Sequence, residues 1–333
     1  MTTLGDIRKR QSSDSRTLLD RAKPIKIKAS RGLPSRKPGT KDWNLAVFLG
    51  DPQIGYRLFP DGELDPFHDE AAISAALNFM AYLEATFGID TVVNLGDFLD
   101  LAPNGRFFQE ATYNGTQNAS IQYGHNFLMR QRAACPNARI VLVEGNHDAR
   151  MGKYQQVFAP ANAGLLRAGI ETQSWPPASV PYLLNVEAAD VEYIDAYPAG
   201  EFWVNRRLRA IHGSKVRSNG STASGYINDN PHISTIFGHV HRLEAQYKTL
   251  HDHASRGPQR SLAASPGCLC RIDGAVPSYG SGIHHDGRPA VRYENWQHGI
   301  GLAWYKNTKI DQRFFYENCL ILDGTIVYDG KEF

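Results

Sequence analysis

The chain has 333 residues, 42% apolar and 21% charged, a globular composition with room for one large domain or two ordinary ones. No apolar run approaches a membrane span, and the N-terminus lacks the apolar core that a secretory signal needs. The net charge of +2 hides an asymmetry: residues 1–42 hold twelve Lys/Arg and four Asp/Glu, a balance of +8, which leaves the remainder with twenty-four basic and thirty acidic groups, a balance of −6.

Residues 1–42 are poor in apolar side chains, and "RGLPSRKPGTK" is punctuated by Pro and Gly. Such a segment cannot bury enough surface to offset its ordering entropy, so a mobile basic tail is expected ahead of a folded body at 43–333. Asp6, Asp14 and Asp20 argue against an organelle transit peptide. "NLAVFLG" (44–50) predicts a strand, and "DEAAISAALNFMAYLEATFG" (69–88) a helix with Ile73, Leu77, Met80 and Leu83 on one stripe and Gly88 as its C-cap. "TVVNLGD" (91–97) predicts the next strand, "SIQYGHNFLMRQRAA" (120–134) a helix closed by Pro136, and "RIVLVEG" (139–145) a third strand. That β-α-β-α-β order predicts a parallel sheet with crossover helices. Further on, "YLLNVE", "VEYIDA" and "LRAIHG" read as strands, as do "STIFGHV", "EAQYKTL", "RSLAAS" and the C-terminal piece, where Asp323-Gly324 marks a hairpin. The sheet is expected to be mainly parallel early and antiparallel late.

The four cysteines, Cys135, Cys268, Cys270 and Cys319, are few and irregularly spaced, which points to a reducing compartment rather than a disulfide framework. With no second pair near it, the Cys268-x-Cys270 motif reads as small buried side chains rather than a structural zinc site.

The first three strands each end in polar residues: Asp51-Pro-Gln53; "GDFLD" with Asp97 and Asp100; and "GNHDAR" with Asn146, His147, Asp148 and Arg150. His212 in "IHGS" and His239 and His241 in "FGHVH" again follow apolar runs. Ligands of open α/β sheets bind at the carboxyl ends of strands. Taken singly, each motif is an ordinary turn or a surface histidine; five of them, each after an apolar strand, point to one metal site.

In that order, D-P-Q, G-D-F-L-D, G-N-H-D, H-G and G-H-V-H resemble the calcineurin-like metallophosphoesterases, whose pattern is D-x-H, G-D-x-x-D, G-N-H-[DE], a lone His and G-H-x-H. "SPGCL" (265–269) is similar to the turn that follows the last motif in many members. The resemblance covers about residues 45–270. It implies an α/β fold, a four-layer αββα sandwich of two mixed sheets with flanking helices, and a dinuclear centre that hydrolyses phosphoesters through a hydroxide held between the ions. Carried over, Asp51, Gln53, Asp97 and His241 would hold one ion, and Asp97, Asn146, His212 and His239 the other. The resemblance makes His147 the residue that serves the leaving oxygen, with Asp100 orienting it. Arg150 is a phosphate contact by charge and fork geometry, with a surface salt bridge as the equal alternative. Gln53 departs from the usual His. An amide oxygen is a harder ligand, so two divalent ions of the Mn²⁺ type are expected, with Mg²⁺, Fe or Zn open.

The expected substrate is a phosphodiester of nucleic acid, gripped by the basic tail. A phosphomonoesterase acting on phosphoproteins or small phosphates is the alternative, and a degenerate binding subunit the second. Loops 101–118, 213–232 and 251–260 are the candidate substrate contacts, the second being a Gly/Ser-rich flap. A short basic tail without a targeting signal suits a cytoplasmic protein of a bacterium or bacteriophage, with no membrane partner.

Overall fold

Strand β1 (Asn44–Leu49) is an unbroken apolar run because neither face meets solvent. Leu45, Val47 and Leu49 pack outward into a core shared with helices α1 (Glu70–Thr86) and α2 (Gln117–Ala134), while Ala46 and Phe48 point the other way, into a core shared with a second sheet. The computed structural model describes residues 42–105, 111–169, 175–251, 257–277, 282–283, 289–290 and 294–333. The expected mobile tail and parts of the 101–118 and 251–260 loops lie outside the described residues.

Parallel strands β4 (Thr91–Asn94), β5 (Arg139–Val143) and β6 (Val191–Ile194) extend the sheet on one side of β1. Antiparallel β14 (Gly299–Tyr305), β15 (Phe314–Leu322), β16 (Thr325–Tyr328) and β17 (Lys331–Glu332) extend it on the other, giving eight strands in the order β17-β16-β15-β14-β1-β4-β5-β6. A mixed five-stranded sheet faces it: β10 (Leu243–Leu250), β11 (Gln259–Pro266), β9 (Ser234–Phe237), β8 (Leu208–Ile211) and β7 (Glu201–Asn205), in that order. Phe48, Val93 and Val141 meet Leu208, Ala210, Ile236 and Leu262 between the sheets. Helix α5 (Thr222–Asp229) covers the outer face of the second sheet, with Ala223, Tyr226 and Ile227 against Ile211, Phe237 and Ala263. The layers are therefore α/β/β/α, the expected sandwich. Two short hairpins, β2 (Tyr56–Leu58) with β3 (Leu64–Pro66) and β12 (Gly282–Ile283) with β13 (Pro289–Ala290), lie outside the sheets.

Register places the site. Leu49 pairs with Asn94, and Asn94 with Leu142, so β1, β4 and β5 finish level and their following loops lie side by side. Ile211 pairs with Phe237, which sets the loops after β8 and β9 together in the same way.

The local signals in α1 act as read: the Asp69 side chain accepts from the Ala72 amide at 2.9 Å, and the Phe87 and Gly88 amides both return to the Leu83 carbonyl. Asp323 and Gly324, at φ +49° and +73°, make the two-residue turn between β15 and β16. Two readings are corrected. "YLLNVE" is not a strand but the end of a one-turn helix α4 (Val180–Leu183) and a run of turns, with Asn185 at φ +49° breaking the extended path. The supposed flap at 213–232 contains α5, anchored by buried Tyr226 and Ile227. Strand β7 and the helix α3 (Arg150–Phe158) were not anticipated.

His68, tilted against the Tyr123 ring with centroids 3.9 Å apart and 3% exposed, has no partner for its Nδ1 among the described residues. Burial, then the charges of Arg130 and Arg271, push its pKa down to about 3. The unfolded ring takes a proton near pH 6.5 and the folded one does not, so the stability that neutral His68 supplies is full above 6.5 and drains as the pH falls toward 3. Between pH 7 and pH 4 the wild type is expected to lose about 3 kcal/mol more than a His68→Phe variant in urea melts. Parallel pH profiles for the two proteins would contradict this.

Candidate metal centre

The loops that follow β1, β4 and β9 hold their polar residues in an uncommon backbone conformation. Asp51 (φ +43°), Gln53 (+42°), Asp97 (+46°), His239 (+71°) and His241 (+55°) are all non-glycine residues in the left-handed region. Each costs about 1 kcal/mol or more, and such strain gathers where geometry serves function.

These residues converge. Oxygen and nitrogen atoms of Asp51, Asp97 and His241 lie within 4.8 Å of one another, and so do those of Asp97, His212 and His239, so Asp97 belongs to both groups. In the first group, His241 Nε2 is 3.4 Å from Asp51 Oδ1 and 3.1 Å from Gln53 Nε2. The backbone N–H of Gln53 donates to the Asp97 carbonyl at 2.9 Å, which ties the two loops together. The backbone N–H of His239 donates to both Asp51 oxygens, at 3.0 and 2.9 Å. In the second group, His212 Nδ1 lies 2.8 Å from the Leu95 carbonyl, so that nitrogen carries its hydrogen. Nε2 turns inward, 3.0 Å from Asn146 Oδ1 and 3.4 Å from Asp97 Oδ2.

Beside these groups, His147 Nδ1 donates to Asp100 Oδ1 at 2.8 Å, and Nε2 stands 3.8 Å from Asp97 Oδ2. Asn146 and His147 therefore face different partners, as adjacent residues must. Arg150 donates to the Asp100 carbonyl at 2.7 Å and to His147 Nε2 at 3.0 Å. The ten residues given roles in the sequence thus lie together at one edge of the sandwich.

Electrostatics favour a cation here. Every ion-pair contact of Asp51 and Asp97 among the described residues is to a histidine ring, none to Lys or Arg. Burial opposes ionisation of Asp97, but the rings of His147, His212 and His239 outweigh it and hold the carboxyl well below its usual range. Burial lowers His212 too, and there Asp97, Asp51 and the Leu95 carbonyl win, raising it to about 9. Burial and the neighbouring His212 push His239 down to about 4. Gln53 Oε1 is buried with no partner among the described residues, an acceptor awaiting an electrophile. Oxygen and imidazole donors in this number fit a divalent metal ion.

Reading the sequence assigned no role to the residues that hold this cage. Asp148 accepts from the amides of Phe98 (3.1 Å), Leu99 (2.9 Å) and Gly145 (3.0 Å), clamping the second loop to the third. Burial and the nearby Asp97 push its pKa up to about 7. Its signal was the last letter of G-N-H-D. The Trp296 ring, 4.3 Å from that of His241, and Tyr197, 5.7 Å from that of His212, had no signal at all.

Neither a family model nor a curated protein matches the sequence. Among solved structures, the 5′-nucleotidase precursor from Thermus thermophilus is similar with a TM-score of 0.28 and 11% identity, over 83% of this chain and 54% of that one. The NAD nucleotidase of Haemophilus influenzae is similar with a TM-score of 0.28 and 12% identity, over 82% and 49%. The chain spans about half the length of each. No helix among the described residues is long and apolar enough to cross a membrane.

Gly145 leaves no room for a side chain: a Cβ there would overlap the Asp97 amide nitrogen and Oδ1, and lie 2.9 Å from its Cα. Gly145→Ala is expected to cost about 2 kcal/mol in denaturant unfolding, within the range for overpacking, and to displace the Asp97 carboxylate. An unchanged midpoint would show that the loops yield easily.

Proposed function

We propose that this chain is a metallophosphoesterase whose centre holds two divalent ions, one at Asp51, Gln53, Asp97 and His241, the other at Asp97, Asn146, His212 and His239. The observation that carries the reading is the membership of Asp97 in both ligand groups: one buried carboxylate shared by two cations offsets their repulsion. Ions held there supply Lewis-acid polarisation of a phosphoryl group and a nucleophile at neutral pH.

The protein's own part is positioning and proton traffic. Asp100 accepts from His147 Nδ1, which fixes the ring and leaves Nε2 toward Asp97 and the cleft. With Arg150 donating to it, Nε2 is an acceptor in this state. An anionic substrate would draw the Arg150 guanidinium away by bidentate pairing, and Nε2 is then free to take a proton and deliver it to the departing oxygen. Arg150 therefore acts both as a phosphate contact and as a gate on His147.

The substrate class favoured is a nucleic-acid phosphodiester, on the +8 balance of residues 1–42. A screen of Mn²⁺, Mg²⁺, Zn²⁺ and Fe²⁺ against single- and double-stranded DNA, bis-p-nitrophenyl phosphate and p-nitrophenyl phosphate tests this. Cleavage of the diesters with Mn²⁺, abolished by EDTA and weakened by removing residues 1–42, is the expected result. Turnover of the monoester alone would replace diester by monoester, and turnover of none would remove the enzyme reading.

Gln53 makes the first ion the looser one. Replacing Gln53 by His should tighten its binding on the order of tenfold or more and move the preference toward softer ions. Equal affinity of the two proteins in a Mn²⁺ titration would exclude Gln53 as a ligand.

A further inference from the structure

The Cys268-x-Cys270 motif has no part in the centre described above, yet it lies directly behind it. Residues 267–270 run past the first metal loop, with the Leu269 amide donating to the Gly50 carbonyl (3.0 Å) and that of Cys270 to the Asp51 carbonyl (3.1 Å). Residues two apart on an extended segment share a side. Leu269 enters the core beneath the first sheet, whereas Cys268 and Cys270 join the small cluster with Phe67 and Trp296.

On that side the two thiols meet His241. The sulfur atoms of Cys268 and Cys270 and a ring nitrogen of His241 lie within 4.8 Å of one another, and all three residues are buried. The ring nitrogen nearest Cys270 is Nδ1, 3.8 Å from its sulfur, while Nε2 faces Asp51 and Gln53 on the far side. Cys268 Sγ otherwise makes only long contacts to backbone carbonyls among the described residues, to Gln297 at 3.6 Å and to Cys270 at 3.8 Å. Sulfur–oxygen contacts of this length are weak and leave the sulfur available as a ligand.

We propose that Cys268, Cys270 and His241 Nδ1 form a second, chemically distinct ion site for a soft divalent cation of the Zn²⁺ class. Two sulfurs and one imidazole are the donor set such ions select, and the oxygen-rich centre on the other side of His241 is not. Loading with the first ion in place breaks two S–H bonds and the His241 Nδ1–H bond, forms two sulfur–metal bonds and one nitrogen–metal bond, and releases three protons to solvent, leaving His241 as a bridging imidazolate, with no change of oxidation state. The bound ion would tie the strip at 267–270 to the loop that carries His239 and His241, and a water or backbone oxygen would complete four-coordination.

The test uses the full-length, reduced chain. Zinc X-ray absorption at loadings up to three equivalents should show sulfur neighbours at about 2.3 Å. This measurement needs neither a variant nor an activity, so it stands whether or not the phosphoesterase reading holds. Cobalt(II) titration should give a thiolate charge-transfer band that is lost in Cys268→Ser/Cys270→Ser and kept in Cys135→Ser/Cys319→Ser, whose folding is checked by circular dichroism. A shell of nitrogen and oxygen alone at every zinc loading would overturn the proposal. So would a band that follows Cys135 and Cys319, or a thiol count in denaturant showing Cys268 and Cys270 already joined as a disulfide.

Discussion

Asp97→Asn is expected to cost both ions and about three orders of magnitude in phosphoester turnover, a loss at the upper end of that for removing one electrostatic element of an active site. The substitution is nearly isosteric, so sterics do not explain the effect. Asp97 lies in both ligand groups, and its Oδ1 accepts the His147 amide at 2.7 Å while Oδ2 faces the His212 ring at 3.4 Å. An amide in its place carries no charge and turns an N–H₂ toward one of these positions. The His212 ring, held near a pKa of about 9 chiefly by the Asp97 and Asp51 carboxylates against its burial, then loses one of the two. Metal analysis after gel filtration and steady-state rates are the two readouts. A variant that kept two ions per chain would show that the carboxylate is not the bridge.

His147→Ala should behave in the opposite way, keeping both ions and losing rate. Its side chain contacts Asp100, Arg150 and, at 3.8 Å, Asp97, but the contact that holds Asp97 in place comes from the His147 backbone amide, which alanine retains. A positioned acid is worth about 10²–10⁴ in rate, and the loss should be large for alkoxide leaving groups and small for p-nitrophenolate, which departs without a proton. Equal losses on both would remove His147 from the leaving-group step. Asp100→Asn should follow the same pattern more weakly, since the ring survives and only its orientation loosens.

The parts of the molecule that could be read in the sequence are those where a local pattern and the tertiary environment agree. β1, β4 and β5 are buried on both faces and show as apolar runs; α1 carries its own caps. Where the two conflict, reading failed. The segment 182–187 is apolar enough for a strand, but Leu183 and Leu184 return amide bonds to Ser179 and Val180 in a helical turn. Helix α5 is short and built from Thr, Ser, Gly and Asn, which favour turns, and only its contact with the second sheet makes it a helix. At the site, residue types and order were legible because each follows a strand. The left-handed backbone at Asp51, Asp97 and His241, the amide partners of Asp148 some fifty residues back and the thiols behind His241 come from the way loops meet in space, and sequence spacing alone does not give them.

The most direct measurement is a crystal structure grown with Mn²⁺ and phosphate, with anomalous differences recorded at the manganese edge. Two peaks roughly 3.5–4 Å apart, one on each side of the Asp97 carboxylate and with Gln53 Oε1 turned to the first, are the expected result. No peak beside Asp97, or ions held by other residues of the chain, would contradict the two-metal centre.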